Sequence, residues 1–357
     1  MEKQFTIILM KWHKQTNTRE MPWKGEPDPY KIWLSEVILQ QTRVAQGWQY
    51  YTNFIKKYPT ITHLARAKDQ DVFKLWEGLG YYNRCKNLLF TARQIVRERK
   101  GIFPDQYEDI LALKGIGPYT AAAIASFAYN LPFAVVDGNV FRVLSRFFGI
   151  DVPIDSTKGK ALFTEIAGKV LAKKEAGLYN QAIMDFGAVV CKPFSPSCHN
   201  CPLQKHCVAF RDGRVNQLPV KEKTLQRKHR WFYYFVFEHE NKLLVHQRTG
   251  NDIWQNLFEF YLVESDAGVT WDEKSVKYWL KEQAGISKAN LLYVSPLSVQ
   301  QLTHQQIKGQ FIRVQLDTIP VFLKKYQWQP VGSLRKLPFP KFITQHLESP
   351  FLQKSLF

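Results

Sequence analysis

Four of the five cysteines, Cys191, Cys198, Cys201 and Cys207, crowd into one stretch with the spacing C-x6-C-x2-C-x5-C. Four thiols so close in sequence tie a tight loop to a shared ligand, and Pro193, Pro196 and Pro202 restrict its path further. A secreted disulfide scaffold would be smaller and would spread its cysteines more widely, so a thiolate-ligated centre in a reducing compartment is expected. Tetrahedral zinc and an iron–sulfur cube both suit this spacing, and two disulfides suit it less. His199 and His206 stand in the loop, but four thiolates already complete a ligand set. Lys192, Lys205, His206, Arg211 and Arg214 decorate it, so the same loop can offer cations to phosphates. Cys85 is expected to be a small buried residue with no role.

Upstream, Leu111 to Tyr129 reads as a helix, a tight turn and a second, alanine-rich helix. Gly115 and Gly117 flank one residue, so the turn can take positive φ and approach a ligand closely. Pro118 suits the first position of the next helix. The turn amides and the helix dipole together make an anion site, and with no side chain to read bases the contact should be to backbone phosphate. The apolar run 133–137 then delivers Asp137 on a Gly138-Asn139 turn before a helix resumes at 140–148. An Asp there is a natural N-cap worth about 1 kcal/mol, and it can equally face a substrate.

A helix is expected over 5–16, and Asp28-Pro29 reads as the start of another that runs to about Tyr58. That second helix is apolar almost all round, so it should be buried, with Glu36 in its middle. Further helices are expected at about 61–66, 69–77, 83–99, 105–112, 156–173 and 178–190. Gly78 and Gly80 break the pattern before Tyr81 and Tyr82, two exposed-looking aromatics suited to wedging into a base stack. No strand pattern longer than Phe133–Val136 appears before about residue 210, so this region should be all-α.

The net charge is +18 and the pI about 9.6, which favours a polyanionic partner, nucleic acid before membrane. The longest early apolar run, Phe5 to Met10, is far too short to span a bilayer, and no cleavage site surrounds it. A soluble cytoplasmic protein with no membrane partner is expected. From Arg214 the composition changes: residues 214–230 read as an exposed basic linker that could lie along DNA. Beyond it come two strand-like runs around a turn at His239 to Asn241, a strand at Leu257 to Val263, a helix at about 273–284 and strands near 291–294 and 311–316. These describe a small α+β domain over 231–357, following an all-α region over 1–213.

The hairpin at 111–129, Glu36 within LSEVILQQT and the cysteine loop at 191–207 together resemble the helix–hairpin–helix DNA glycosylases that carry a [4Fe–4S] cluster. Within that superfamily the chain resembles the adenine DNA glycosylases, which remove adenine mispaired with 8-oxoguanine. The endonuclease III-like lyases carry a catalytic lysine two residues after the second hairpin glycine, where Tyr119 stands here. They also lack the paired Glu and end near the cluster. The C-terminal extension resembles a Nudix domain, but only Glu282, Gly285 and Ile286 remain of the acidic metal box, so Mg²⁺-dependent hydrolysis is not expected.

The resemblance implies residue roles. Glu36 would protonate adenine at ring nitrogen seven, with a pKa raised by its apolar helix. Asp137 would stabilise the sugar cation, and Asn139 and Tyr119 would line the same pocket. Gln41 and Tyr81 would wedge the stack, Gln181 would read the extruded adenine, and Gly115, Gly117, Lys205 and Arg211 would hold phosphates. Leu302-Thr303-His304 matches the family's aromatic-Ser-His loop for 8-oxoguanine, with Leu302 in place of the aromatic. One [4Fe–4S] cluster on the four cysteines, a monomer, and duplex DNA with an A:8-oxoG or A:G mispair are implied. A glycosylase/lyase for oxidised pyrimidines and an inert DNA-binding protein are the competing readings.

Overall fold

The computed structural model describes residues 1–222 and 226–348. Residues 223–225 of the expected linker and 349–357 of the expected C-terminal domain lie outside the described residues. The chain divides into two compact units, Met1–Ala67 with Lys86–Thr224, and Lys68–Cys85 with Leu225–Phe357. Residues 68–85, expected within the helical region, therefore cluster with the C-terminal unit.

In chain order the helices are α1 (Glu2–Gln15), α2 (Pro29–Leu39), α3 (Val44–Lys57), α4 (Ile61–Arg66), α5 (Asp69–Trp76), α6 (Asn83–Arg99), α7 (Tyr107–Leu111), α8 (Pro118–Tyr129), α9 (Gly138–Phe148), α10 (Thr157–Val170), α11 (Ala176–Val189) and α12 (Val208–Arg211). The first unit contains helices and no strand among its described residues. Its core gathers Phe5 and Leu9 of α1, Val143 and Phe147 of α9, Phe163 of α10 and Phe186 of α11.

Local sequence explains the ends that matter. Asp28 caps α2 by accepting from the Tyr30 amide at 2.9 Å, with Pro29 at the first helical position. The expected single helix to Tyr58 is instead two. It stops at Leu39, Gln41 takes φ +56°, and α3 begins at Val44. The apolar pattern runs on across the break because both helices bury against the same unit. Gly47 is what lets α3 fold back, since a Cβ there would meet Leu39 Cδ2 at 2.9 Å. The apolar run 133–137 is extended but pairs with a side chain, not a strand. Asn180 Oδ1 accepts from the Val135 amide at 3.2 Å, and its Nδ2 donates to Phe133 O and Ser126 Oγ, both at 2.8 Å.

The expected exposed linker is also corrected. Leu218 is buried, Arg146 Nε donates to its carbonyl at 3.0 Å, and the Ile154 amide donates to Val220 O at 3.0 Å. Residues 214–222 thus lie against the first unit, and Lys228, His229 and Arg230 already belong to a strand.

The second unit is built on a mixed sheet with strands β1 (Lys228–His239), β2 (Lys242–Gln247), β3 (Phe258–Glu259), β4 (Tyr261–Ser265), β5 (Ala289–Val294), β6 (Ser298–Gln301), β7 (Gln305–Leu316) and β8 (Gln327–Pro330). β1 and β7 run parallel at its centre, and the remaining pairs are antiparallel. The β1–β2 turn has positive φ at both central residues, Glu240 and Asn241, as a two-residue hairpin requires. Helix α13 (Glu273–Tyr278) runs into a π-turn at Trp279–Gln283, and α14 (Lys341–Leu347) closes the described chain. The expected all-α region followed by an α+β domain is what the structure contains. No helix among the described residues is long and apolar enough to cross a membrane.

Candidate active site

A cavity of about 490 Å³ opens within the first unit, and five of the expected site residues line it: Glu36, Tyr119, Asp137, Asn139 and Gln181. They arrive from α2, α8, the start of α9 and α11, so distant segments build one chamber.

Glu36 is 5 % exposed on its buried helix. Tyr119 Oη donates to its Oε2 at 2.8 Å. Burial pushes the Glu36 pKa from an ordinary 4.5 up to about 7; the Tyr119 hydrogen bond works against this and the charge of Asp137 adds to it.

Asp137 is both the N-cap of α9 and part of the cavity wall. Its Oδ1 accepts from the Val140 amide at 2.8 Å and its Oδ2 from Asn139 Nδ2 at 2.7 Å. Burial raises its pKa, but those two hydrogen bonds and the nearby Arg142 charge oppose the rise. The environments of the two carboxyls therefore differ in kind. Glu36 has one neutral donor, whereas Asp137 has a helix N-terminus, an amide and a guanidinium, which suits an acid beside a carboxylate.

Three residues that the sequence did not single out hold this arrangement. Arg142 Nη2 donates to Asn139 Oδ1 at 2.9 Å and to Gly187 O at 2.7 Å, while its Nε donates to the Cys191 carbonyl at 2.8 Å. Asn180 fixes the extended run that delivers Asp137. Asp185 accepts from Gln181 Nε2 at 2.9 Å. Only Asp185 left a sequence signal, as a carboxylate four residues after Gln181 on one helix face.

The other expected residues stand outside the cavity wall. Gly115 has φ +80° and a Cβ there would meet Asn87 Cβ at 2.7 Å, while Gly117 caps α8. Gln41 is exposed on the α2–α3 turn. In the second unit Tyr81 is 39 % exposed with φ +50°. Tyr82, also expected to be exposed, is buried and stacks on Phe73. Leu302, Thr303 and His304 form the turn between β6 and β7, and the Tyr81 and Thr303 hydroxyls are hydrogen-bonded.

All four loop cysteines are free thiols, half-buried, and Cys191, Cys201 and Cys207 pack against the core of the first unit. Burial pushes Cys201 up to about 12, and Cys191, Cys207 and Cys198 add to the shift, so the four sulfurs share one neighbourhood. Arg146 Nη1 reaches Cys191 Sγ at 3.4 Å, a donor suited to a thiolate. Among the described residues no three His, Cys, Asp or Glu side chains are placed to hold a single metal ion. Four half-buried thiols in one loop, with a cationic donor beside one of them, have the chemistry of a thiolate-ligated centre. Lys205 is exposed; Arg211 is exposed too but bonded to Asp212 at 2.8 Å, which weakens it as a phosphate contact.

The stretch expected to carry the Nudix box runs through α13 and the π-turn, with Glu282 in the π-turn and Gly285 and Ile286 just after it. Trp279 stacks on Phe235 with ring centroids 4.1 Å apart, while Glu273 and Glu282 pair with Lys277 and Lys281. Aromatic packing occupies that segment.

Comparison with known proteins agrees with this architecture. Residues 34–167 match the HhH-GPD superfamily of base excision DNA repair proteins, and residues 232–349 match the NUDIX domain. The chain is 36 % identical over 281 residues to the adenine DNA glycosylase of Buchnera aphidicola subsp. Acyrthosiphon pisum, covering 78 % of each chain. It is 30 % identical over 358 residues to that of Buchnera aphidicola subsp. Schizaphis graminum, covering 96 % of this chain and 98 % of the relative. The human adenine DNA glycosylase is 40 % identical over 60 % of this chain and 41 % of its own. A thermostable thymine-DNA glycosylase superposes with a TM-score of 0.55 at 29 % identity, covering 59 % of this chain and 97 % of its own. Endonuclease III in a non-covalent DNA complex shares the fold, with a TM-score of 0.51 at 21 % identity over 60 % of this chain and 98 % of its own. The chain belongs to the adenine DNA glycosylases, base excision repair hydrolases of the HhH-GPD superfamily, here with a C-terminal Nudix domain.

Proposed function

We propose that this enzyme removes adenine mispaired with 8-oxoguanine or guanine from duplex DNA and leaves an intact abasic site. The observation that carries the reading is the meeting of Glu36 and Asp137 in one cavity, with Tyr119 at the position where a lyase would need lysine.

The base must first leave the stack, at a cost of a few kcal/mol. Gln41 and Tyr81 fill or split the stack, each on a left-handed backbone turn that projects it. The hairpin at Gly115 and Gly117 holds backbone phosphate, with Lys205 adding charge. In the cavity Gln181 reads the adenine. Glu36, kept protonated by burial, gives its proton to ring nitrogen seven, worth roughly 10²–10⁴-fold. Asp137 remains ionised and stabilises the oxocarbenium sugar. At ~4 Å and an effective dielectric of about 20, that pair is worth roughly 4 kcal/mol. Water then completes hydrolysis, as at the paired carboxylates of glycosidases.

Leu302, Thr303 and His304 recognise the 8-oxoguanine left in the duplex. Cys191, Cys198, Cys201 and Cys207 hold a [4Fe–4S] cluster, which supplies a rigid tether for its loop and no bond-breaking chemistry.

The test is base release from duplexes carrying adenine opposite 8-oxoguanine, guanine, cytosine and thymine, developed with alkali. Release confined to the first two supports the reading. Strand cleavage without alkali, or a borohydride-trapped adduct, supports the glycosylase/lyase instead.

A further inference from the structure

Asp185 is fully buried on α11, one turn beyond Gln181, and its carboxylate is surrounded by donors. Its Oδ1 accepts from Gln181 Nε2 at 2.9 Å and from Arg19 Nη1 at 2.7 Å. Its Oδ2 accepts from Asn17 Nδ2 at 2.8 Å, with Lys24 Nζ at 3.3 Å. Asn17 is itself fully committed: the same amide nitrogen meets His13 Nδ1 at 2.9 Å, and its Oδ1 accepts from the Arg19 amide at 3.1 Å.

Arg19 and Lys24 have only donors to offer, one at each carboxylate oxygen, so both oxygens of Asp185 serve as acceptors. The atom of Gln181 that faces it must therefore be the amide NH₂. A glutamine amide is planar, so its carbonyl oxygen points away from the nitrogen, and Gln181 lines the cavity. A free glutamine turns its amide over and serves either a donor or an acceptor. This one cannot, because turning it would set its oxygen against Asp185.

We infer that Asp185 is a positioning residue that locks Gln181 as an acceptor toward the bound base, so that the cavity selects a purine with an amino group at C6 over one with an oxo group there. The inference rests on the adenine-excision reading above and deepens it. An adenine amino group donates to the fixed Gln181 oxygen. The C6 oxygen of hypoxanthine would face that same oxygen and leave both acceptors unpaired, a mismatch worth about 10- to 100-fold in rate. Neither Glu36 nor Asp137 distinguishes the two bases, since both purines offer the same ring nitrogen seven and the same sugar.

The experiment is single-turnover release of adenine and of hypoxanthine from the same duplex position, opposite the same base, by full-length wild type, Asp185→Asn, Gln181→Leu and the double variant. The readout is the ratio of the two rates, in which any shared loss of stability or of acid catalysis cancels. Wild type is expected to favour adenine at least about tenfold. In Asp185→Asn a single acceptor serves Arg19, Asn17 and Gln181, so the amide at 181 turns over and the ratio falls about 10- to 100-fold. Gln181→Leu falls similarly, and adding Asp185→Asn to it changes the ratio no further. Should Asp185→Asn not fold, Lys24→Met with Asp185→Asn, which removes one charge of each sign, carries the same readout. An unchanged ratio in the Asp185 variants, losses that multiply in the double variant, or a wild type indifferent to the two bases overturns the inference. Wild type that releases neither base overturns the excision reading instead.

Discussion

Arg142 and Cys191 are joined by a hydrogen bond from the guanidinium Nε to the cysteine carbonyl at 2.8 Å. The same guanidinium donates to Asn139, and Asn139 donates to Asp137. The loop that carries the four thiols is thereby linked to the cavity carboxylate through two side chains, Arg142 and Asn139.

Arg142→Gln removes the charge and the fork that span these groups. Hydrogen bonds from a charged group contribute roughly 1.5–3 kcal/mol each, so base release should fall about 10- to 100-fold. Duplex affinity should change much less. Single-turnover rates and equilibrium binding on one preparation check this.

Glu36 predicts a pH dependence in rate and stability together. A general acid with a pKa near 7 makes base release fall as pH rises through about 7. For stability the folded value lies above the ordinary 4.5. The extra stability of the protonated form is thus complete below 4.5 and lost by about pH 7, a difference of roughly 3 kcal/mol. Glu36→Gln should abolish that slope, melt higher than wild type at pH 8 and lose base release. Melting curves from pH 4.5 to 8 decide it.

Tyr119→Phe removes the hydrogen bond that lowers the Glu36 pKa. The alkaline limb of the rate profile should move to higher pH while the reaction continues. A limb that stays in place would separate Tyr119 from the acid.

Thr303→Val deletes the hydroxyl bonded to Tyr81. One neutral hydrogen bond is worth about 1 kcal/mol, so preference for 8-oxoguanine over guanine opposite adenine should drop about fivefold. Release opposite guanine should be nearly unchanged.

Much of this was legible in the sequence because it is written locally. Asp28-Pro29 announces α2, the spacing of Gly115, Gly117 and Pro118 announces the hairpin, and Asp137 before Gly138-Asn139 announces a capped helix. What was not legible depends on tertiary contact. The break at Gln41 carries no Gly or Pro and is imposed by α3 folding over Leu39. Tyr82 differs from Tyr81 only in which side of a turn faces Phe73. Arg142 meets a carbonyl 49 residues away, and nothing in its own helix marks it. Strands β6 and β8 are too short, at four residues each, to show a period.

Asparagine caps a helix as well as aspartate does, so Asp137→Asn should leave α9 and the fold intact while removing the carboxylate charge. Adenine release and duplex affinity should be measured on this one variant with an A:8-oxoG substrate. Release should be abolished with affinity retained; turnover at the wild-type rate would remove Asp137 from the chemistry.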